Sequence, residues 1–218
     1  MLKIYGVYRS RAARNIWLAN ELGVPFELVP VMQAYRMADP LAPGAPLNTQ
    51  SPAFLKINPS GQIPSIVDGD LVLHESLAIN LYIAKKYGGS LAPATLAEDA
   101  QMMQWTLWAV TAAEPHTLNV LMHRVSKPVA ERDPKLAAAA VEALRTPFAV
   151  LDRALAATGH LVGNRFTDAD LNVVEVMRYA LAAPELFDAA PHVKNWITTC
   201  RNRPACQAMW AARELEPV

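Results

Sequence analysis

Residues 58–83 read NPSGQIPSIVDGDLVLHESLAINLYI, a turn, two short strands and a helix start compressed into one unit. Asn58-Pro59-Ser60-Gly61 is a cluster of turn formers. The apolar run that follows is interrupted at Pro64. Proline removes a ladder donor, so this position marks a strand edge or a special turn. With a cis Ile63–Pro64 bond, which proline alone allows at low cost, the N–H and C=O of Ile63 would face outward, and an extended peptide could pair there as an added strand. Ile66-Val67 and Leu71-Val72-Leu73 flank Asp68-Gly69-Asp70, a tight-hairpin signal. Glu75 and Ser76 then precede Leu77, Ile79, Leu81, Tyr82 and Ile83, spaced for a mostly buried helix. Free N–H groups and the positive end of the helix dipole suit that start to a carboxylate, with the Ser76 hydroxyl as an added donor. Each feature also has an ordinary structural reading: Ser76 as an N-cap, Glu75 as a solvated first-turn acid, Pro64 as a strand terminator.

Upstream, residues 2–7 alternate as a first strand, and residues 10–22 follow as a helix burying Ile16, Trp17 and Leu18, with Gly23 at its C′ position. Residues 24–31 read as a second strand. Residues 32–53 carry Pro40, Pro43, Pro46 and Pro52 with little periodicity, the mark of a long irregular loop serving as a lid or mobile segment. With a helix in that interval, the element order is β-α-β-α-β-β-α. Residues 87–93, YGGSLAP, form the clearest linker, which places two domains at 1–86 and 94–218.

No convincing strand follows the linker. Thr95 to Glu98 has capping-box spacing and opens a long helix through Met103, Trp105, Leu107 and Trp108, with a bend expected at Pro115. Asp133-Pro134 opens an alanine-rich helix expected to be disturbed at Pro147 and to end near Gly159. In FTDADL, residues 166–171, Thr167 is N-cap, Asp170 its reciprocal N3 partner, and Phe166 staples onto Leu171. Helical pieces at 191–196 and from Arg203-Pro204-Ala205 close the chain.

Composition narrows the function. Of 218 residues, 52% are hydrophobic, ample for a core, and Lys plus Arg equals Asp plus Glu at 20 each. There is thus no broad basic field for nucleic acid or anionic lipid. No apolar run approaches membrane-spanning length, and the N-terminus enters a strand without the pattern of a signal peptide, so a cytoplasmic protein with small-molecule or protein partners is expected. Cys200 and Cys206 lack C-x-x-C spacing and nearby histidines, supporting neither a disulfide framework nor a metal site.

The turn, G-x-[IV]-P, the hairpin and E-S ahead of an apolar helix, together with the Thr167–Asp170 box after the Leu161-Val162-Gly163 turn, resemble the cytosolic glutathione transferases. The resemblance is to bacterial-type members that activate the thiol with a serine or the backbone rather than a cysteine. It spans nearly the whole chain. It implies an α/β plus all-α protein: an N-terminal thioredoxin-like βαβαββα domain followed by an all-helical C-terminal domain. It further implies glutathione as co-substrate, no metal, an electrophilic small molecule as second substrate, a role in detoxification, and a homodimer with its pocket near a subunit cleft. In the family, the residue before the cis-proline pairs its backbone with the cysteinyl part of glutathione, and the E-S pair holds the γ-glutamyl end. By position these are Ile63 (ahead of Pro64), Glu75 and Ser76, with Gln62 as a neighbour. The family has a short helix closing over glutathione in the interval 32–53, which here reads as longer and looser.

Thioredoxin-like domains keep a reactive sulfur at the start of the first helix. Here that start reads Tyr8-Arg9-Ser10-Arg11-Ala12-Ala13-Arg14, so sulfur chemistry must use a thiol brought by a ligand. A thiol of pKa about 8.5 is mostly protonated at neutral pH, and donors plus positive potential raise its thiolate fraction. Ser10 is the leading catalytic candidate, backed by backbone N–H groups and Arg9 or Arg11; plain helix capping is the alternative. Registering on Gly23, the family's serine aligns with Arg9 as readily as with Ser10. Tyr8 is a second candidate donor, or simply a packed residue. Arg14 braces the helix to the second domain or a partner subunit, or is solvated. By analogy, the electrophile pocket lies between the domains with Tyr8, Arg11, Trp108 and Thr111 on its walls and His116 nearby, although Trp105 and Trp108 at i, i+3 also read as core. Conjugation to an electrophilic carbon is the expected activity. The same scaffold runs isomerase, dehalogenase, peroxidase and reductase chemistry, and a non-catalytic transferase-like interaction module is the reading from another class. The intact E-S pair and the 61–64 turn speak against that module.

Overall fold

Alternation turns Leu2 and Ile4 of β1 (Leu2–Tyr5) into the core, while Lys3 faces Glu27 across the sheet at 3.0 Å. In the computed structural model, which describes residues 1–216, β1 leads through a turn into α1 (Ala12–Glu21) and back to β2 (Phe26–Val29), parallel to β1. The helix ends where expected: Gly23 follows it at φ 63°, the left-handed conformation a C′ glycine adopts freely. Residues 32–53 are irregular but not loose. Asn48 is fully buried, its Nδ2 donates to the carbonyls of Pro40 and Pro46 at 2.8 and 2.9 Å, and Met32 bridges to it in parallel. The position of the second helix holds two short pieces, a 3-10 turn over Ala34–Arg36 and a single α-helical turn, α2 (Pro52–Leu55).

The hairpin follows as β3 (Ser65–Asp68) and β4 (Leu71–His74), giving the sheet order β2-β1-β3-β4 with β3 antiparallel to β1. Asp68 pairs with Leu71, so the loop is the two residues Gly69-Asp70, and Asp68 is a strand residue. Its carboxylate accepts from Lys86 Nζ at 2.5 Å and from the Tyr82 and Tyr87 hydroxyls at 3.0 and 3.2 Å, tying the hairpin to α3 (Ser76–Tyr87). Burial raises the Asp68 pKa, but these hydrogen bonds outweigh it and leave the group below its ordinary value.

A second unit runs Ser90–Arg203. In it α4 (Leu96–Trp108) opens on Thr95, whose hydroxyl accepts from Glu98 N–H at 3.1 Å; the Glu98 carboxylate reaches back to Ala94 N–H at 2.8 Å. A π-helical turn over Ala109–Ala113 joins α4 to α5 (Glu114–Leu121), and it sits just ahead of Pro115, whose missing N–H leaves a carbonyl of that turn without its usual partner. The position where a bend is expected is thus marked by local widening of the helix. The expected disturbance at Pro147 does not occur. Helix α6 (Pro134–Leu155) continues through it with Pro147 on the buried face, and Gly159 N–H caps it on Leu155.

Helix α7 (Asp168–Met177) is buried at every position. Its capping box forms as expected, with Thr167 N–H donating to Asp170 Oδ2 at 2.9 Å. Helices α8 (Pro184–Asp188) and α9 (Pro191–Arg201) complete this unit. The final helix, α10 (Pro204–Leu215), groups with the first unit, so that unit is discontinuous in sequence, unlike the division at 87–93. No described helix is long and apolar enough to cross a membrane.

Candidate functional site

The turn from β1 into α1 passes so close to the helix that a Cβ on Gly6 would lie 2.6 Å from Ala12 Cβ. The same point lies 3.6 Å from Ser10 Oγ and 3.8 Å from Ile63 Cβ. Gly6 therefore allows the Ser10 hydroxyl and the Cβ of Ile63, 53 positions apart in sequence, to share one corner of the sheet. Ser10 is half-buried; its hydroxyl donates to Val7 C=O at 2.7 Å and accepts from Ala12 N–H at 3.0 Å. The capping reading of Ser10 is thus realised, with the oxygen on the first N–H of α1.

The Ile63–Pro64 bond is cis. Among the described residues, neither the N–H nor the C=O of Ile63 has a protein hydrogen-bond partner. Gln62 is exposed, and its carbonyl accepts from Asn58 Nδ2 at 2.7 Å. Asn58, which the sequence marked only as a turn former, is buried and shapes the turn from within: its Oδ1 also accepts from Ser60 N–H at 3.0 Å.

Glu75 is exposed and holds φ 67°, ψ 107°. Ser76 is 5% exposed, and its hydroxyl accepts from Arg14 Nη1 at 3.1 Å. This corrects the reading of Arg14. It is not solvated: at 1% exposure it lies beneath the start of α3. Asn15 Nδ2 donates to Ser76 C=O at 2.7 Å and to Asn80 Oδ1 at 2.6 Å, completing a buried polar seam between α1 and α3. Burying a guanidinium is costly unless its donors are used. Its presence at a helix N-terminus concentrates positive potential where the Glu75-Ser76 reading placed a carboxylate.

The remaining candidates divide between the units. Tyr8 is half-buried and Arg11 exposed in the first. In the second, Trp108 meets Trp105 edge-on with centroids 5.2 Å apart, and the exposed Thr111 donates its hydroxyl to Leu107 C=O at 2.9 Å. Both therefore have local structural roles. Among the described residues no group of three acidic, histidine or cysteine side chains is arranged to hold a metal, and Cys200 and Cys206 are buried thiols.

Comparison with known proteins places these features in a family. Residues 4–91 match the model of the glutathione S-transferase N-terminal domain, and residues 100–204 that of the C-terminal domain. The chain is 36% identical to glutathione S-transferase 3 of Zea mays, over 99% of this chain and 96% of that protein. Among solved structures, it superposes on glutathione transferase F7 from Populus trichocarpa with a TM-score of 0.82 at 28% identity, covering 98% and 99% of the two chains. A theta class glutathione S-transferase from Xanthomonas axonopodis pv. citri, solved with glutathione bound, gives 0.79 at 31% identity over 95% of each chain.

Proposed function

We propose that this chain, which belongs to the glutathione S-transferase family, joins the thiolate of glutathione to an electrophilic carbon. The observation that carries the reading is the Arg14–Ser76 pair at the N-terminus of α3, a buried cation and a hydroxyl where a carboxylate gains most. In this reading the γ-glutamyl end of glutathione sits against Glu75 and Ser76. Its cysteinyl backbone pairs with the N–H and C=O of Ile63 ahead of Pro64, beside Gln62. The peptide thereby pairs with the segment ahead of β3 as an added extended strand.

That placement brings the thiol toward the corner shared by Ile63 and Ser10. The Ser10 hydroxyl has a single proton, given to Val7 C=O in this structure. Turning it toward sulfur leaves the oxygen accepting from Ala12 N–H, which polarises the hydroxyl and strengthens it as a donor. Hydrogen bonding to the charged form lowers the thiol pKa and raises the thiolate fraction. The thiolate then attacks carbon, the leaving group departs with the bonding electrons, and the thiol proton has already passed to solvent. Tyr8, Arg11, Trp108 and Thr111 are proposed as electrophile contacts, each open to single substitution.

Isothermal titration with glutathione tests the reading. Binding that falls in Ser76→Ala supports the helix-start site and leads to screening of electrophiles. Absence of binding at millimolar ligand refutes it and favours an interaction module. We also infer a homodimer, for which a monomeric mass by light scattering is the contrary result.

A further inference from the structure

The main-chain groups of Tyr8 and Arg9, immediately ahead of Ser10, are held from the far end of the chain. Glu216 accepts from both: Tyr8 N–H donates to Oε1 at 2.9 Å and Arg9 N–H to Oε2 at 2.7 Å. The grip is reciprocal. Arg9 Nε donates to the Glu216 carbonyl at 2.8 Å and its Nη2 to the Glu214 carbonyl at 3.4 Å, while Arg213 Nη1 donates to the carbonyl of Tyr8. The Arg9 carbonyl is taken by Gln33 Nε2 at 3.2 Å and Arg36 Nη2 at 3.4 Å. Every main-chain polar group of residues 8 and 9 thus has a partner, two of them on one carboxylate.

A carboxylate accepting two adjacent N–H groups makes charge-assisted bonds with a fixed fork geometry. The peptide planes of residues 8 and 9 cannot turn without breaking them, and the position of Ser10 follows from those planes. We infer that Glu216 is a positioning residue of the thiol site: its side chain clamps the β1–α1 turn and so holds the Ser10 hydroxyl at the corner it shares with Ile63. The inference rests on the functional reading above for its chemistry, but the clamp itself is testable without ligand.

Two variants suffice, Glu216→Ala and Glu216→Gln. The amide of Gln keeps the shape but offers one acceptor oxygen, so an N–H faces an NH2 and half of the clamp is lost. In ligand-free protein, amide exchange should accelerate about tenfold or more at both Tyr8 and Arg9 in Glu216→Ala and at one of the two in Glu216→Gln, the effect of one lost hydrogen bond at each amide. Exchange in the buried part of α3, at Ile83 and Ala84, should stay at the wild-type rate. With glutathione, the pH midpoint of the ultraviolet thiolate signal should rise, and binding should weaken about tenfold, as for a small misplacement of a reacting group. Unchanged exchange at Tyr8 and Arg9, or a Glu216→Gln protein matching wild type, overturns the clamp. Faster exchange with an unmoved thiolate midpoint overturns the positioning role and leaves only a structural tie. A wild type that binds no glutathione overturns the functional reading itself, and the positioning role falls with it.

Discussion

Glu75 sits in the left-handed region at φ 67°, a conformation that costs a residue bearing a Cβ about 1–3 kcal/mol. Glycine there would relieve that strain but lose about 0.5–1 kcal/mol through the greater freedom of the unfolded chain. The net gain is about 1 kcal/mol, or roughly 2–4 °C for a chain of this size. Glu75→Gly should therefore melt above Glu75→Ala, which keeps the strain, while both lose glutathione affinity in calorimetry if the side chain serves the ligand. Equal melting temperatures would mean that the neighbouring structure relaxes and stores no strain at this point. Ser10 separates by a different logic, because its oxygen serves the helix and its proton is proposed to serve sulfur. Ser10→Ala should cost about 1 kcal/mol as a lost cap and raise the thiolate midpoint. Ser10→Thr, which retains the hydroxyl, should recover both; recovery of stability alone would leave Ser10 a cap and no more.

Helix α7 shows what a window of sequence contains and what it does not. Thr167 and Asp170 are three positions apart, so their reciprocal bonding was legible as spacing alone. The rest of Asp170's role was not. Its Oδ1 also accepts from Leu161 N–H at 3.1 Å and from Trp196 Nε1 at 2.9 Å, and the residue is fully buried. A partner 26 positions away is chosen by the packing of α9, which no local period reports. The same limit hid Arg14 on Ser76 and Glu216 on the β1–α1 turn. At Pro147, where a disturbance is expected, α6 continues with the proline on its buried face, because burial of that face outweighs the local cost. The strands, the hairpin and Gly23 were legible because turn chemistry and strand alternation are local, whereas the isomer at Pro64 was left open, since proline allows both. Since Asp170 anchors two helices and a turn, Asp170→Ala should destabilise the protein by about 3–5 kcal/mol, leaving several buried donors unmatched. Thr167→Ala should cost about 1 kcal/mol. Chemical denaturation of both variants checks the ratio; comparable losses would show that Asp170 acts only as a cap.

Several carboxylates share one electrostatic bias, which gives the protein an acid limit. Arg165 donates to both oxygens of Glu98 at 3.0 and 2.6 Å and to the carbonyls of Ser90 and Ala92, and its hydrogen bonds bring the Glu98 pKa down to about 2. Arg124 lowers that of Glu185 through a 2.7 Å bond. Burial raises those of Asp68 and Asp152, yet Lys86 with its neighbouring tyrosines, and His192 with two backbone N–H groups, more than offset it. On unfolding, each group takes up protons near its ordinary value of about 4, whereas the native protein keeps it ionised to lower pH. The unfolded chain therefore binds more protons throughout this window, and stability falls as pH falls. Melting temperature should be nearly level from pH 7 to about 5 and then drop progressively toward pH 2, where Glu98 itself protonates. Glu98→Gln isolates one contributor: it should melt below wild type at pH 7, and the gap should close as pH approaches about 2. Added salt should narrow the gap at neutral pH, because the pair is partly open to solvent. A gap that stays constant across the titration would assign the loss in the Glu98→Gln protein to altered capping of α4 and remove the ion pair from the account of acid stability.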